Sequence, residues 1–476
     1  MDKTGFDRTQ NRTIVIFIMC CLLTETVSQT DVCVRVPAKT SDCLQSSEYH
    51  PVPKDSVTQS CLQELLWDFT TIQNLTADEV DHFKRISRRY LDSPSSSPSG
   101  FRQRREYRQL NDLEREKLHR SFQILYDEGT IHRYGKLYGL AYTTVRKSPA
   151  FLGFQRVFLL AFEEELRRID NTVSLPYWDF TIDTEMDNPV NSILWSRKYF
   201  GNGNGRVKTG DFRDWRTPKG YIQRRYGESN YGKLMSRDVV KTIVYKCKTK
   251  DVTYPVRSES EEIFVLEYHH NGILNWLGGS AADAKTAAYD PVFYMISACT
   301  DFIWEIFRKI QLTECNINPS MDYPTNTKAH KQGAFDKMPG FSQFSNVHGY
   351  SNYWSTFWYN YTLAQGCPNC NSKYQWCSTK VDRCISHSRR TDYNVGRNVV
   401  SANEAFEPDT EYVPHRVEIP FMPSPLNDGR TMASAKLDAR KAVTRRRSSN
   451  KQQRNLFVLS ALGRSSLISD SLSAND

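Results

Sequence analysis

Two adjacent histidines, His269 and His270, have the clearest capacity in this chain to bind a metal ion. Neutral imidazole is a common ligand of copper and zinc. Successive side chains of a helix point about 100° apart, so these two rings would not face the same ion from one helix. Only two further histidines, His119 and His132, occur between residues 102 and 312. The histidines alone therefore predict few ligands for a metal centre in this region.

The N-terminus has the pattern of a secretory signal peptide. Basic residues precede an apolar stretch at 14–23, and small residues follow, which predicts cleavage after Ser28. The alternative is a short buried helix at the start of the chain. Cleavage would remove Cys20 and Cys21 and leave ten cysteines in an oxidising compartment. We therefore expect a secreted protein, and the sequons at Asn74 and Asn360 are the predicted glycosylation sites.

The cysteines predict disulfide bonds. A cluster of four falls within 18 residues, at Cys367, Cys370, Cys377 and Cys384. This spacing is compatible with a zinc site or with local disulfides, and the oxidising route favours disulfides. Three further candidates for disulfide bonding lie nearer the N-terminus, at Cys33, Cys43 and Cys61.

Composition and charge exclude several classes of protein. Of the 476 residues, 39% are hydrophobic and 12% aromatic, which is enough to build a packed core and excludes wholesale disorder or a collagen-like repeat. No apolar run reaches the ~18 residues that a membrane span needs. The net charge of +9 is modest for this length. We therefore predict no membrane span and no nucleic-acid partner.

Changes in amino-acid composition along the chain predict its division into regions. The predicted regions are a signal peptide (1–28), an N-terminal cysteine-bearing segment (29–92), a Ser/Pro-rich linker (93–101), a helical core (102–312), a cysteine- and aromatic-rich extension (313–425) and a basic, disordered tail (426–476). The tail is predicted to be solvated and mobile. Two alternatives are attraction to acidic polymers or mineral, and cleavage by a processing protease at Arg445-Arg-Arg447.

Apolar periodicity predicts that the fold is mainly α. Four long helical stretches are predicted, at 106–145, 151–169, 261–277 and 291–310, and they favour a four-helix bundle. A helix-like stretch at 58–90 precedes the linker. Asn111 and Glu114 have the spacing of a capping box, so a helix is expected to begin after Asn111. The extension has many Pro, Tyr, Trp and Cys residues and is expected to be loop-rich or β-rich.

A series of ordered motifs carries a family resemblance: Ser148-Pro-Ala-Phe-Leu-Gly-Phe, Leu175-Pro-Tyr-Trp-Asp-Phe, Leu266-Glu-Tyr-His-His-Asn and Thr286-Ala-Ala-Tyr-Asp-Pro-Val-Phe. Over roughly residues 102–385 the chain resembles the tyrosinase family, the type 3 copper proteins, and in particular the secreted tyrosinase-like proteins of mollusc shell matrix. The resemblance implies a helical bundle that holds two copper ions, each through three imidazoles, and that oxidises phenols to quinones.

The chain departs from this family at the metal ligands. Of the six ligand positions that the resemblance implies, only His270 keeps a histidine. The other five are Ala141, Arg146, Gln155, Leu274 and Ser297. Alanine and leucine have no donor, glutamine and serine are poor neutral ligands, and arginine is a fixed cation. We therefore expect that the family cofactor, two copper ions, is not bound and that the chain has no catalytic residues.

The loss of the metals has expected consequences for the interior. Leu274 and Ile296 are expected to fill part of the former copper cavity by packing. Arg146 would need a carboxylate, for which Glu163 and Glu267 are the candidates. Three further acids are expected to hold backbone groups and arginines around the bundle: Asp179, Asp290 and Asp301.

These expectations leave three hypotheses for function. The first is a secreted, non-catalytic component of an extracellular, shell-type matrix, with matrix proteins, acidic polysaccharide or mineral as its partners. The second is an active copper-dependent phenol oxidase that cross-links matrix proteins. The third is a regulatory partner of an active tyrosinase.

Overall fold

A computed structural model describes Ser41 and residues 74–91, 100–227, 232–324 and 332–389. Apart from Ser41, these residues belong to one compact unit that begins at Ile72. The helices are α1 Ala77–Arg88, α2 Asp112–Asp127, α3 Thr130–Val145, α4 Ala150–Ile169, α5 Phe180–Asp183, α6 Arg237–Val244, α7 Leu266–Leu277, α8 Pro291–Thr313 and α9 Tyr353–Phe357. The predicted signal peptide and basic tail lie outside the described residues.

Short strands pair two by two between and after these helices. They are β1 Arg102–Arg104, β2 Asn204–Arg206, β3 Arg216–Thr217, β4 Gly220–Tyr221, β5 Gln223–Arg225, β6 Lys337–Met338, β7 Phe341–Ser345, β8 Tyr359–Tyr361, β9 Gln375–Ser378 and β10 Arg383–Ser386. The pairs are β1 with β8, β2 with β5, β3 with β4, β6 with β7, and β9 with β10. Only the β1–β8 pair is parallel among these strands.

The start of α2 is capped as predicted, but the predicted helical stretch at 106–145 is not one helix. The Asn111 side chain accepts from the Glu114 backbone N–H at 2.9 Å, and Glu114 returns the bond to Asn111 N at 2.9 Å. Gly129 then adopts a left-handed conformation, with φ of +75°, which ends α2 and starts α3 in a new direction. The prediction of a single helical stretch is wrong because the apolar periodicity continues through this turn.

Helix α4 lies at the centre of the bundle. Every residue from Ala150 to Leu166 is buried, as expected for a helix that is surrounded by protein. It packs against α2, α3 and α8, and α8 also packs against α6 and α7. The predicted mainly α fold is confirmed, with a four-helix core formed by α3, α4, α7 and α8.

The last two core helices differ slightly from the predicted ranges. Residues Glu259–Phe264 form a 3₁₀ turn, and the α-helix begins only at Leu266. Helix α8 continues beyond the predicted end to Thr313 and begins at Pro291, whose missing N–H costs nothing in the first turn. Asp290 caps it by accepting from Val292 N at 3.1 Å, and the same carboxylate binds Arg224 at 2.8 Å.

Disulfide bonds hold the extension, as predicted. Cys367 pairs with Cys377, and Cys370 pairs with Cys384. A third bond, Cys247–Cys315, is absent from the predicted set, because its partners are 68 residues apart and no local spacing links them. Cys299 is a buried free thiol. The candidates Cys33, Cys43 and Cys61 lie outside the described residues.

Arg156 of α4 and Asp301 of α8 form the centre of a buried ion-pair network. Arg156 Nε donates to Asp301 Oδ1 at 2.8 Å, and Arg156 Nη2 donates to Glu305 Oε2 at 2.8 Å. Burial alone would raise the pKa of Asp301, but the charges of Arg156 and Arg104 bring that pKa below its usual value. The carboxylate therefore stays ionised and joins the two helices, as expected for Asp301.

The same network reaches the paired strands β1 and β8. The hydroxyls of Tyr359 and Tyr361 donate to Asp301 Oδ2 at 2.7 and 2.8 Å. Arg104 Nη2 donates to Glu163 Oε2 at 2.8 Å, and its guanidinium lies 3.9 Å from the centre of the Tyr359 ring. Strand β1 thus enters the core beside β8, and both are fixed to α4 and α8 by buried polar contacts.

The described part of the N-terminal segment also packs on this core. Helix α1 begins with a capping box at Thr76. Beyond its end, the Tyr90 hydroxyl donates to Leu160 O of α4 at 2.9 Å. The Ser87 hydroxyl reaches Gln343 of β7 at 2.9 Å. Among the described helices, none is long and apolar enough to cross a membrane.

The buried network predicts a large effect of a small substitution. Asp301→Asn keeps the side-chain shape but leaves Arg156 with less compensation, so we expect the free energy of unfolding to fall by about 3–5 kcal/mol. The matched control is Asp81→Asn, which removes the exposed Asp81–Lys84 ion pair and should cost less than about 1 kcal/mol. Urea unfolding of both variants measures the difference. Equal small losses would contradict a central role for the network.

Candidate functional site

The surviving histidine of the predicted metal site, His270, lies in the core between three helices. It is fully buried on α7. Its Nε2 lies 3.0 Å from Ser297 Oγ of α8 and 3.2 Å from Gln155 Nε2 of α4. Its Nδ1 lies 3.2 Å from Asn271 Oδ1. Three of the predicted positions, Gln155, His270 and Ser297, are therefore brought into direct contact.

The hydrogen bonds assign a tautomer to His270. Asn271 Nδ2 donates to the Tyr142 hydroxyl of α3 at 2.9 Å, so Asn271 presents its acceptor oxygen to His270 Nδ1. Nδ1 therefore carries the proton, and Nε2 accepts from the Ser297 hydroxyl and the Gln155 amide. Burial lowers the pKa of His270 to about 4, which keeps this imidazole neutral at physiological pH.

Aromatic rings enclose this polar group. Phe151 and Phe293 form T-shaped contacts with the His270 ring, with ring centres 5.4 and 6.0 Å away. Tyr138 packs on Phe293 with 4.5 Å between ring centres. Ile296, the residue before Ser297, is fully buried. The region is thus built as apolar core around a small hydrogen-bonded cluster.

The side chains at the other predicted ligand positions have no atom that can bind a metal ion. Ala141 of α3 is buried and offers only a methyl group. Leu274 follows His270 by about one turn of α7 and is also buried. Arg146 caps the end of α3 and is half-buried. None of these three residues can supply an imidazole where the resemblance implies one.

Of the two candidate partners for Arg146, the structure places Glu267 near its charge and commits Glu163 elsewhere. Glu163 binds Arg104. Burial raises the pKa of Glu267 to about 8, while the backbone N–H of Lys147 and the charges of Lys147 and Arg146 oppose that rise. Both carboxylate oxygens of Glu267 accept from Lys147 N, at 2.9 and 3.0 Å, and so fix the turn between α3 and α4.

The remaining histidines of the core are committed elsewhere. His119 Nδ1 lies 2.7 Å from Asp211, and its Nε2 bonds to the Tyr107 hydroxyl. His269 Nε2 donates to Ile263 O at 2.7 Å. His132 packs against the rings of Tyr126 and Tyr289. None of the three joins His270.

Among the described residues, one group of three or more His, Cys, Asp and Glu side chains is close enough to share a metal ion. This group does not include His270. The group is Cys367, Cys370 and Cys384, whose sulfur atoms are all in disulfides. Within the part of the chain that the structure covers, His270 therefore belongs to no cluster of three or more side chains of these types. The hydrogen bond from Asn271 to Tyr142, which orients Asn271 toward His270, could be anticipated only from the approach of α3 to α7.

Comparison with known proteins places these observations in a family. Residues 117–310 match the family model described as the common central domain of tyrosinase. The chain is 31% identical over 304 residues to a tyrosinase-like protein of Caenorhabditis elegans, covering 60% of this chain and 43% of that protein. It is 31% identical over 307 residues to tyrosinase-like protein 2 of the mollusc Margaritifera margaritifera, covering 60% of this chain and 66% of the relative.

A second Margaritifera margaritifera protein matches over a longer stretch. Tyrosinase-like protein 1 is 27% identical over 432 residues, which covers 83% of each chain. By contrast, the match covers less than two thirds of the nematode protein and of tyrosinase-like protein 2. The alignment with tyrosinase-like protein 1 therefore reaches beyond the central domain.

The buried neutral imidazole predicts a specific pH dependence. The folded-state pKa of His270, about 4, lies below its ordinary value of 6.5, so the unfolded chain binds the proton more readily. The contribution is complete above pH 6.5 and is lost as pH falls toward 4, which amounts to about 2 kcal/mol between pH 8 and pH 5. His270→Gln should abolish this component, measured as the difference between the urea stability curves of wild type and variant.

Ser297→Ala is the matched control for this measurement. It removes one donor to Nε2 but leaves the imidazole buried, so most of the pH-dependent component should remain. Stability curves for wild type and His270→Gln that run parallel from pH 8 to pH 5 would show that His270 is not held as a neutral buried ring.

Proposed function

The chain belongs to the tyrosinase family of type 3 copper proteins, and we propose that it is a secreted member without copper chemistry that serves as a component of an extracellular matrix. The observation that carries the proposal is the environment of His270. Its Nε2 accepts hydrogen bonds from Ser297 and Gln155, at 3.0 and 3.2 Å, at the place where the family resemblance implies copper ligands.

The donor set does not fit the family cofactor. A copper ion of this family is held by three neutral imidazoles, whereas His270 is accompanied by a hydroxyl and an amide. Ala141 and Leu274 offer no ligand atom, and the permanently protonated guanidinium of Arg146 is not a metal ligand. The side chains around His270 therefore do not support copper-based oxygen chemistry in this proposal.

The hydrogen bonds of His270 also oppose metal binding directly. A metal would have to take the Nε2 lone pair, which already accepts from Ser297. The hydroxyl and the amide would then lose their acceptor inside an apolar core, at a cost of about 1–3 kcal/mol each. Phe151 and Phe293 also pack against the His270 ring in T-shaped contacts. The former site thus acts as core, which replaces the stability that bound metals would supply.

The matrix role is supported by the relatives and by charge. Two mollusc tyrosinase-like proteins are relatives, and one of them aligns over 83% of each chain. The signal-like sequence at 1–28 directs the chain to the exterior in this proposal. The basic tail at 426–476 would attract acidic polysaccharide, acidic matrix proteins or mineral.

Copper content tests the absence of the metal centre. After loading of the full chain with excess copper and dialysis, we expect well under one copper ion per chain and no oxidation of catechol above the protein-free rate. An active tyrosinase carried through the same loading is the positive control, and His270→Ala reports any copper bound through that ring. Two copper ions per chain with a peroxide absorption band under O2 would instead support a phenol oxidase.

Expression of the full chain in animal cells tests secretion. We expect the protein in the medium with Gln29 as its first residue and with a mass that falls after N-glycosidase treatment. Asn74 is exposed just before α1, whereas Asn360 is half-buried in β8, so Asn74→Gln should remove the more accessible glycan. A chain that stays inside the cells and retains Met1 would contradict the proposed location.

A further inference from the structure

The four short strands between residues 204 and 225 present one face to solvent. They form two pairs, β2 with β5 and β3 with β4. Backbone bonds beside the strands connect the two pairs, because Val207 N donates to Ile222 O at 3.1 Å and Ile222 N donates to Trp215 O at 2.9 Å. Side chains alternate along a strand, and Ile222 and Arg224 are buried. Tyr221, Gln223 and Arg225 therefore lie on the outer face. In the strand register Arg206 lies opposite Gln223 and Arg216 lies opposite Tyr221.

Two arginines of this face pack on one tyrosine. The Arg206 guanidinium lies 3.3 Å from the centre of the Tyr221 ring, and that of Arg216 lies 4.0 Å from it. Arg216 Nη2 also donates to the Tyr221 hydroxyl at 2.5 Å. The ring attracts both cations and holds them close together despite their mutual repulsion. We call the outer surface formed by Arg206, Lys208, Arg213, Arg216 and Tyr221 the arginine face.

The charge of this segment is strongly positive. Between residues 197 and 225, eight Lys and Arg side chains are exposed or half-exposed, against two carboxylates, Asp211 and Asp214. Asp211 binds His119, and Asp214 binds Arg206. Lys219 pairs with Asp283, which lies outside this segment. Among the described residues, no carboxylate lies within ion-pair distance of Lys208, Arg213 or Arg216. The charges of Lys208, Arg213 and Arg216 are therefore available to an external anion.

The chemistry of the arginine face identifies the class of partner. A protein interface needs apolar or aromatic anchors, and a membrane surface needs apolar side chains to insert. No large apolar side chain of the described residues between 197 and 225 is strongly exposed, and the ring of Tyr221 is covered by guanidinium groups. Guanidinium groups bind sulfate and carboxylate in a bidentate manner.

We propose that the arginine face binds a sulfated or carboxylated polysaccharide. This deepens the proposed matrix function, on which the choice of a polysaccharide over a nucleic acid rests, by naming the partner and the surface that holds it. The binding depends on the folded strands and not on the basic tail, which lies elsewhere in the sequence. It also does not depend on the state of the His270 site.

Titration of the full chain with chondroitin sulfate at 0.15 M NaCl tests the proposal. Arg206→Glu together with Arg216→Glu should weaken binding at least about tenfold and lower the slope of log K against log salt by about 1 to 2, since about two charge contacts are lost. The matched control is Arg85→Glu with Arg88→Glu, two exposed arginines of α1, which changes the net charge by the same amount. Because these arginines lie outside the arginine face, the control should change binding less than about twofold.

A second variant, the α1 control and two other polyanions distinguish the possible causes of weaker binding. If the glutamate variant does not fold, Arg206→Gln with Arg216→Gln removes the same contacts without new charge and should weaken binding in the same direction. Equal weakening by the α1 control would assign binding to net charge or to the tail and overturn the proposal. Equally tight binding of poly-glutamate or of a DNA duplex would overturn the choice of polysaccharide. Copper content is measured separately, so its outcome leaves this result intact.

Discussion

The need to pair buried charge between α4 and α8 fixes the geometry on which the rest of the core depends. Arg156 of α4 and Asp301 of α8 are both fully enclosed, so each requires the other at hydrogen-bond distance. Arg156 directly follows Gln155, and Asp301 follows Ser297 by about one helical turn. The ion pair therefore sets the two helices in the register that brings Gln155 and Ser297 to His270, and strands β1 and β8 extend the same network outward.

That register explains how a tyrosinase-family bundle persists with a single histidine at the predicted ligand positions. The scaffold contacts come from arginines, carboxylates and aromatic rings that lie outside those positions. The predicted ligand positions can therefore form part of the core: Ala141 and Leu274 are apolar, and Ser297 and Gln155 hydrogen-bond to His270. A neutral imidazole with both nitrogens bonded is a stable core residue, and its cost appears only when acid forces it to take a proton.

The sequence predicts the local features of this fold better than the long-range ones. The Asn111–Glu114 capping box of α2 and the apolar periodicity of α4 are each contained within one short stretch of sequence. Both are confirmed. The turn at Gly129 is hidden because apolar residues recur on both sides of it. Cys247–Cys315 and the contact of Asn271 with Tyr142 join residues far apart in sequence. Only the packing of α6 on α8 and the approach of α3 to α7 reveal them. The arginine face is hidden for another reason: strands of two or three residues are too short to show an alternating pattern.

The central claim is that His270 is a hydrogen-bonded core residue and not a copper ligand. A crystal structure of the full chain grown with copper, with data collected at the copper absorption edge, tests this most directly. We expect no anomalous peak at coordination distance from His270 Nε2. We also expect Ser297 Oγ to remain at hydrogen-bond distance, about 3 Å, from that nitrogen. A copper peak bound to that nitrogen, with Ser297 and Gln155 displaced and other imidazoles drawn in around the ion, would contradict it.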